Sequence, residues 1–260
     1  MPQVRVPENA NRARAPLEFL GSLGTGEIPH GSRINAEGNS MGTFLDHLVG
    51  TEGQLRQWGC EDAVCWAGMY HSVYGTEGFQ GFTLSVADRA VVQDVIGKRA
   101  EAVAYLNCVM DRESLDQMAL EHYRQGATPG EAPAMALRAR PNPETGLNGS
   151  ETFALTAQQF SDLITVQLAD HLEGFEHQMN KPGVNYIKHA VNGEPGHWRI
   201  PHQGWFGYRR QAFDAMARLL GGGVLQSWED ALRTVPPGSE PAEWQSLADG
   251  AAEPERPAKM

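Results

Sequence analysis

Three residues far apart in the chain, His47, His71 and Asp170, have types and settings that point to chemistry. His71 lies in AVCWAGMYHSVYGTEGF (63–79), which opens as an apolar helix and closes in a polar turn with Ser72, Tyr74, Thr76 and Glu77. An imidazole at the end of a buried helix, with a carboxylate a few residues on, is the beginning of a metal site. His47 in FLDHLVGT and Asp170 in VQLADHLEGF can complete it. Asp170 follows the apolar run LITVQLA, and a carboxylate so placed must be solvated, paired or bound to a cation. A divalent ion with imidazole and carboxylate ligands meets that demand, whether manganese, iron, zinc or cobalt.

The elements that must hold these residues read as helices. The segment 15–23 is a short one. Ser40 can cap a helix over 41–58, whose apolar positions Phe44, Leu45, Leu48, Val49 and Leu55 share one broad face with His47 beside it. The helix 61–73 is apolar almost all round, which argues for the centre of a bundle. Ser85 caps 86–96, Gly97 breaks the chain, and 98–125 is one long helical stretch. Residues 126–155 hold four prolines and no periodicity, so they read as a long loop, a lid over the site. Thr156 caps 157–180, where Val166, Asp170, Glu173 and His177 fall on one stripe. The segment 181–207 is irregular, with Trp198, Trp205, His189, His197 and His202. A helix over 208–220 ends at Gly221-Gly222-Gly223. No strand or internal repeat emerges, and the expected fold class is all-α. Residues 1–39 read as an N-terminal extension, 40–235 as the helical domain, and 236–260 as a disordered tail rich in Pro, Glu and Ala.

With 260 residues, 41% hydrophobic and 20% charged, the chain has a globular composition large enough for one sizeable core. A net charge of −11 argues against nucleic acid as the main ligand. A small anionic substrate remains compatible, because a bound cation dominates its local field. Cys60, Cys65 and Cys108 lack zinc-ligand spacing and read as buried thiols in a reducing compartment. The opening MPQVRVPENANRAR has no apolar core of a signal peptide. No run approaches the ~18 apolar residues of a membrane span. The expectation is a cytoplasmic protein with no membrane partner; nothing in the sequence sets an oligomeric state.

The order His47, His71 after an apolar helix, then Asp170 in a LAD context resembles the HD superfamily of metal-dependent phosphohydrolases. Within it the pattern looks most like the hydrolase domain of the RelA/SpoT alarmone enzymes. DHLVGT matches the first histidine helix and AGMYHSVYGTEGF the second. DVIGKRAEAVAYLNCVMDRESL matches a glycine-containing segment, and DLITVQLADHLEGF the final aspartate helix. The resemblance spans about residues 40–180. It implies a metal held by His47, His71 and Asp170, a small and possibly phosphorylated substrate, and Glu77 as the catalytic carboxylate. Arg112 and Tyr74 are the candidate substrate contacts, Arg112 for a phosphate or carboxylate. The family's aspartate after the second histidine is Ser72 here, which leaves Glu77 as a stand-in ligand or as the residue orienting the water. Two rival readings follow. Two histidines and one carboxylate are also the set of mononuclear non-haem iron oxygenases, and loss of the aspartate could instead leave a non-enzymatic small-molecule-binding scaffold.

Overall fold

The computed structural model describes residues 15–34, 40–77, 79, 82, 84–128, 130–142, 145–173 and 204–233. The fold is all-α. Among the described residues its α-helices are α1 (Pro16–Ser22), α2 (Phe44–Gln57), α3 (Asp62–Met69), α4 (Arg89–Ile96), α5 (Lys98–Val109), α6 (Arg112–Arg124), α7 (Ala157–Glu173), α8 (Gly204–Leu220) and α9 (Gly222–Arg233). Two short antiparallel ribbons, unforeseen in the sequence, join them: β1 (Pro29–Ile34) with β2 (Ser40–Thr43), and β3 (Leu137–Arg138) with β4 (Thr152–Phe153). No helix among the described residues is long and apolar enough to cross a membrane. The expected tail at 236–260, and His177, His189, His197, His202 and Trp198, lie outside the described residues.

Two helices hold the middle. α3 touches α2, α4, α5 and α7, while α7 touches α2, α3, α5, α8 and α9. Their burial follows from composition: Val64, Cys65, Ala67, Gly68 and Met69 of α3 are buried, as is α7 from Leu163 to Ala169. Part of the expected N-terminal extension packs on the same core, Leu23 and Ile28 among it. Phe19 and Leu20 of α1 are fully buried in it, and Tyr70 at the end of α3 donates its hydroxyl proton to the carbonyl of Pro16 (2.7 Å).

Local chemistry sets the helix ends. α2 starts at a capping box, not at Ser40, which lies in β2. Asp46 N–H donates to Thr43 Oγ1 (3.2 Å), and Thr43 N–H donates to Asp46 Oδ2 (2.8 Å). α3 stops four residues before the expected end. The carbonyl of Gly68, which would accept from Ser72 in a continued helix, accepts from both the backbone N–H (3.3 Å) and the ring Nδ1 (2.6 Å) of His71. Gly97, with φ +85°, separates α4 from α5 as expected. The stretch 98–125 is split. Met110 is extended and bridges to Ala139, and Asp111 caps α6 by accepting from Ser114 N–H (3.4 Å). The expected lid is anchored at this break, because Arg138 reaches Asp111 Oδ2 and Arg140 donates to the carbonyl of Cys108 (both 2.9 Å). Thr156 caps α7 in a reciprocal pair with Gln159. The glycine triplet does not end the helical region: only Gly221 interrupts it, and α9 follows, with Trp228 fully buried.

Gly68 also faces α2 closely: an added Cβ would run into the Leu55 side chain. Gly68→Ala should therefore lower stability by about 1–3 kcal/mol in a denaturant titration. Gly53→Ala, whose Cβ would meet nothing within 4 Å, should leave stability unchanged or raise it.

Candidate metal centre

The fold brings His47 of α2, His71 of the turn after α3 and Asp170 of α7 to one point. His47 Nε2 lies 3.3 Å from His71 Nε2 and 3.2 Å from Asp170 Oδ1, and His71 Nε2 lies 3.3 Å from the same oxygen. Three donors about 2.1 Å from one ion, roughly 100° apart, subtend edges of this length. This group could hold a metal ion. The side chains of His47 and His71 keep 6% and 1% exposure against 18% for Asp170, so solvent reaches the triangle from the Asp170 edge.

Hydrogen bonds behind the rings fix which nitrogen faces inward. The carbonyl of Gly68 can only accept, so His71 Nδ1 carries the proton and Nε2 presents a lone pair. Glu173 Oε2 lies 2.7 Å from His47 Nδ1 and does the same for that ring. Glu173 can lie there because residue 50 is glycine: a Cβ on Gly50 would stand 2.7 Å from Glu173 Cγ. Two lone pairs and a carboxylate oxygen at these separations repel unless a positive charge lies among them. In the metal-free state a proton serves. Burial pushes the His47 imidazole down, but Asp170 and Glu173 outweigh burial and hold it up at about 9. Burial pushes the Asp170 carboxyl up, yet the two imidazoles hold it well below the usual carboxylate range.

Of the remaining expected site residues, Arg112 meets this core and Tyr74 points elsewhere. Arg112, at the start of α6, is buried with Nη2 3.9 Å from Asp170 Oδ2. Glu77 is exposed and stands outside the donor triangle. Its Oε2 accepts from the backbone N–H of Arg112 (3.2 Å), at the same end of α6 as that guanidinium. Tyr74 is buried and donates its hydroxyl proton to Glu101 (3.1 Å), which Arg89 and Gln93 also hold. That places the Tyr74 hydroxyl in a structural cluster, away from the ligand set. Ser72 is buried and brings no carboxylate to the group. His171 stacks on Phe213 (4.2 Å, 19°), in keeping with a structural role.

Two neighbours escaped the sequence reading. Glu173 shares the Asp170 stripe, and its place one turn on was the available signal. His30 stacks on His47 (4.3 Å between centroids, 15° between planes) and meets Phe79 edge-on. Burial first, and then His47, lower its imidazole to about 4, so it stays neutral. Only the β1–β2 ribbon brings His30 here, and no local pattern announced that ribbon.

Residues 20–112 match the profile of a family described as Domain of unknown function (DUF6817). The matched stretch includes His30, His47, His71 and Arg112 and leaves Asp170 and Glu173 outside. No curated protein and no solved structure matches the chain.

Elemental analysis should find metal in the wild-type protein and lose it in His47→Ala and Asp170→Asn. Glu173→Gln and Gly50→Ala should each weaken binding about 10–100-fold, as lost support for a metal-bound histidine does. The ion must displace the His47 proton. Affinity should therefore rise with pH up to about 9, by up to about tenfold per unit, and level off above. A pH-independent affinity would contradict this geometry.

Proposed function

We propose that the protein is a metal-dependent hydrolase of the HD superfamily, acting on a small, nucleotide-like phosphate ester. The observation that carries this reading is the buried Arg112 guanidinium at the solvent-reached edge of the donor triangle, 3.9 Å from Asp170 Oδ2. A bound divalent ion supplies a water of lowered pKa and polarises a phosphoryl oxygen. The chain's own residues do the rest. Glu173 and the Gly68 carbonyl keep both imidazoles in the ligating tautomer. Arg112 offers planar donors to an anionic substrate oxygen at that edge. Glu77, at the same helix end, accepts a proton through an intervening water. The setting is the cytoplasm, and the ligand is a small molecule, not nucleic acid or membrane.

A second reading has its own support. With Glu77 outside the donor group, three protein donors leave half of an octahedral shell for other ligands, as in mononuclear iron oxygenases.

Metal analysis, phosphate release from nucleotide esters and oxygen uptake separate these readings. Manganese, zinc or cobalt with phosphate release supports the hydrolase. Iron with substrate-dependent oxygen consumption replaces it with the oxygenase, and a metal-free protein points to a binding scaffold. For the hydrolase, Arg112→Gln should raise KM roughly 10–100-fold, the loss of a charge-assisted hydrogen bond. Glu77→Gln should lower kcat by about 10²-fold or more with KM little changed.

A further inference from the structure

A buried polar chain runs from α8 to the metal-site histidine. Arg209 Nη2 donates to Gln167 Oε1 (2.9 Å), Gln167 Nε2 donates to Asn107 Oδ1 (2.7 Å), and Asn107 Nδ2 donates to the carbonyl of His71 (2.8 Å). Arg209, Gln167 and Asn107 are each 1% exposed. The direction of the chain is fixed at its start. Arginine has donors only, so the oxygen of Gln167 must face it. The Gln167 amide nitrogen then faces Asn107, whose oxygen must turn toward it. That leaves the Asn107 amide nitrogen for His71, and flipping either amide would set like groups against each other. Arg209 is held in turn by Asp116 of α6 through a two-pronged ion pair (2.8 and 2.9 Å).

The end of this chain lies where the backbone needs it. α3 has stopped at Met69, so the His71 carbonyl takes side-chain donors from α5: Asn107 and the Cys108 thiol (3.1 Å). The His71 ring is tied to Gly68 at its far nitrogen. Backbone and ring are thereby both fixed. Gln167 sits one turn before Asp170 on α7, so the same amide connects the element carrying one donor to the residue carrying another.

We propose that Asn107 and Gln167, oriented by Arg209, are positioning residues that set the separation of His71 and Asp170 and hence the affinity and geometry of the metal. The inference rests on the metal-centre reading, and its test distinguishes the two. Wild type, Asn107→Leu and Gln167→Glu are titrated with Co(II), reading the dissociation constant and the visible ligand-field bands, with the metal-free melting temperature taken alongside. Gln167→Glu keeps the acceptor for Arg209 but removes the donor to Asn107, and it touches no metal donor. Both variants should lose about 10–100-fold in Co(II) affinity and show altered band positions or intensities. Unchanged affinity and bands in both would overturn the positioning role. So would weaker binding with an unchanged spectrum that merely tracks a lower melting temperature, since packing alone would explain it. If one variant does not fold, the other decides. If wild type takes up no Co(II), the metal centre itself fails, which is a different result from variants that bind like wild type.

Discussion

Two imidazole lone pairs and a carboxylate oxygen, about 3.3 Å apart inside an apolar bundle, cannot rest together without positive charge between them. Much of the surrounding architecture follows from that constraint. Each ring is turned inward by an acceptor behind it, Glu173 for His47 and the Gly68 carbonyl for His71. Gly50 is small so that Glu173 can approach, and Gly68 is small so that α2 and α3 can bring the two histidines close. The early end of α3 has the same origin, since the Gly68 carbonyl is occupied by His71.

The donors were legible in the sequence because their environment made them anomalous. Asp170 after seven largely apolar residues, and His71 closing an apolar helix, are polar groups where burial demands an explanation. The all-α class was legible through 3.6-residue periodicity, and the stops at Gly97 and the cap at Thr156 through local chemistry. Non-local pairing was hidden. The break between α5 and α6 depends on Met110 bridging Ala139, and the placement of His30 depends on β1 pairing with β2. Neither can be deduced from a window of neighbouring residues. Turn direction was hidden too. Spacing put Glu77 and Tyr74 near His71, but the backbone sends the Glu77 carboxylate to the start of α6 and the Tyr74 hydroxyl to Glu101.

Two of the polar groups in the interior differ in kind. The cluster of Glu101 with Arg89, Gln93 and Tyr74 closes on itself, as buried charge requires, and ties α4 to α5. The chain from Arg209 to Asn107 instead ends on the backbone of a metal-site residue. Closed clusters of the first kind serve packing. In a single-direction chain each bond polarises the next, with the charge-assisted bond from Arg209 at its head.

The donors at positions 47, 71 and 170 lie on α2, the turn after α3, and α7. No short fragment of the chain contains a complete set, so a cation held by all three acts as a cross-link between distant segments and recognises only the finished tertiary structure. At a free ion concentration of 100 times the dissociation constant, such selective binding adds about 2.7 kcal/mol to the stability of the folded form. That is a substantial fraction of the 5–15 kcal/mol typical of a domain. A metal held there would link the persistence of the protein to metal supply: a starved chain would forfeit this cross-link and unfold more often than the loaded one.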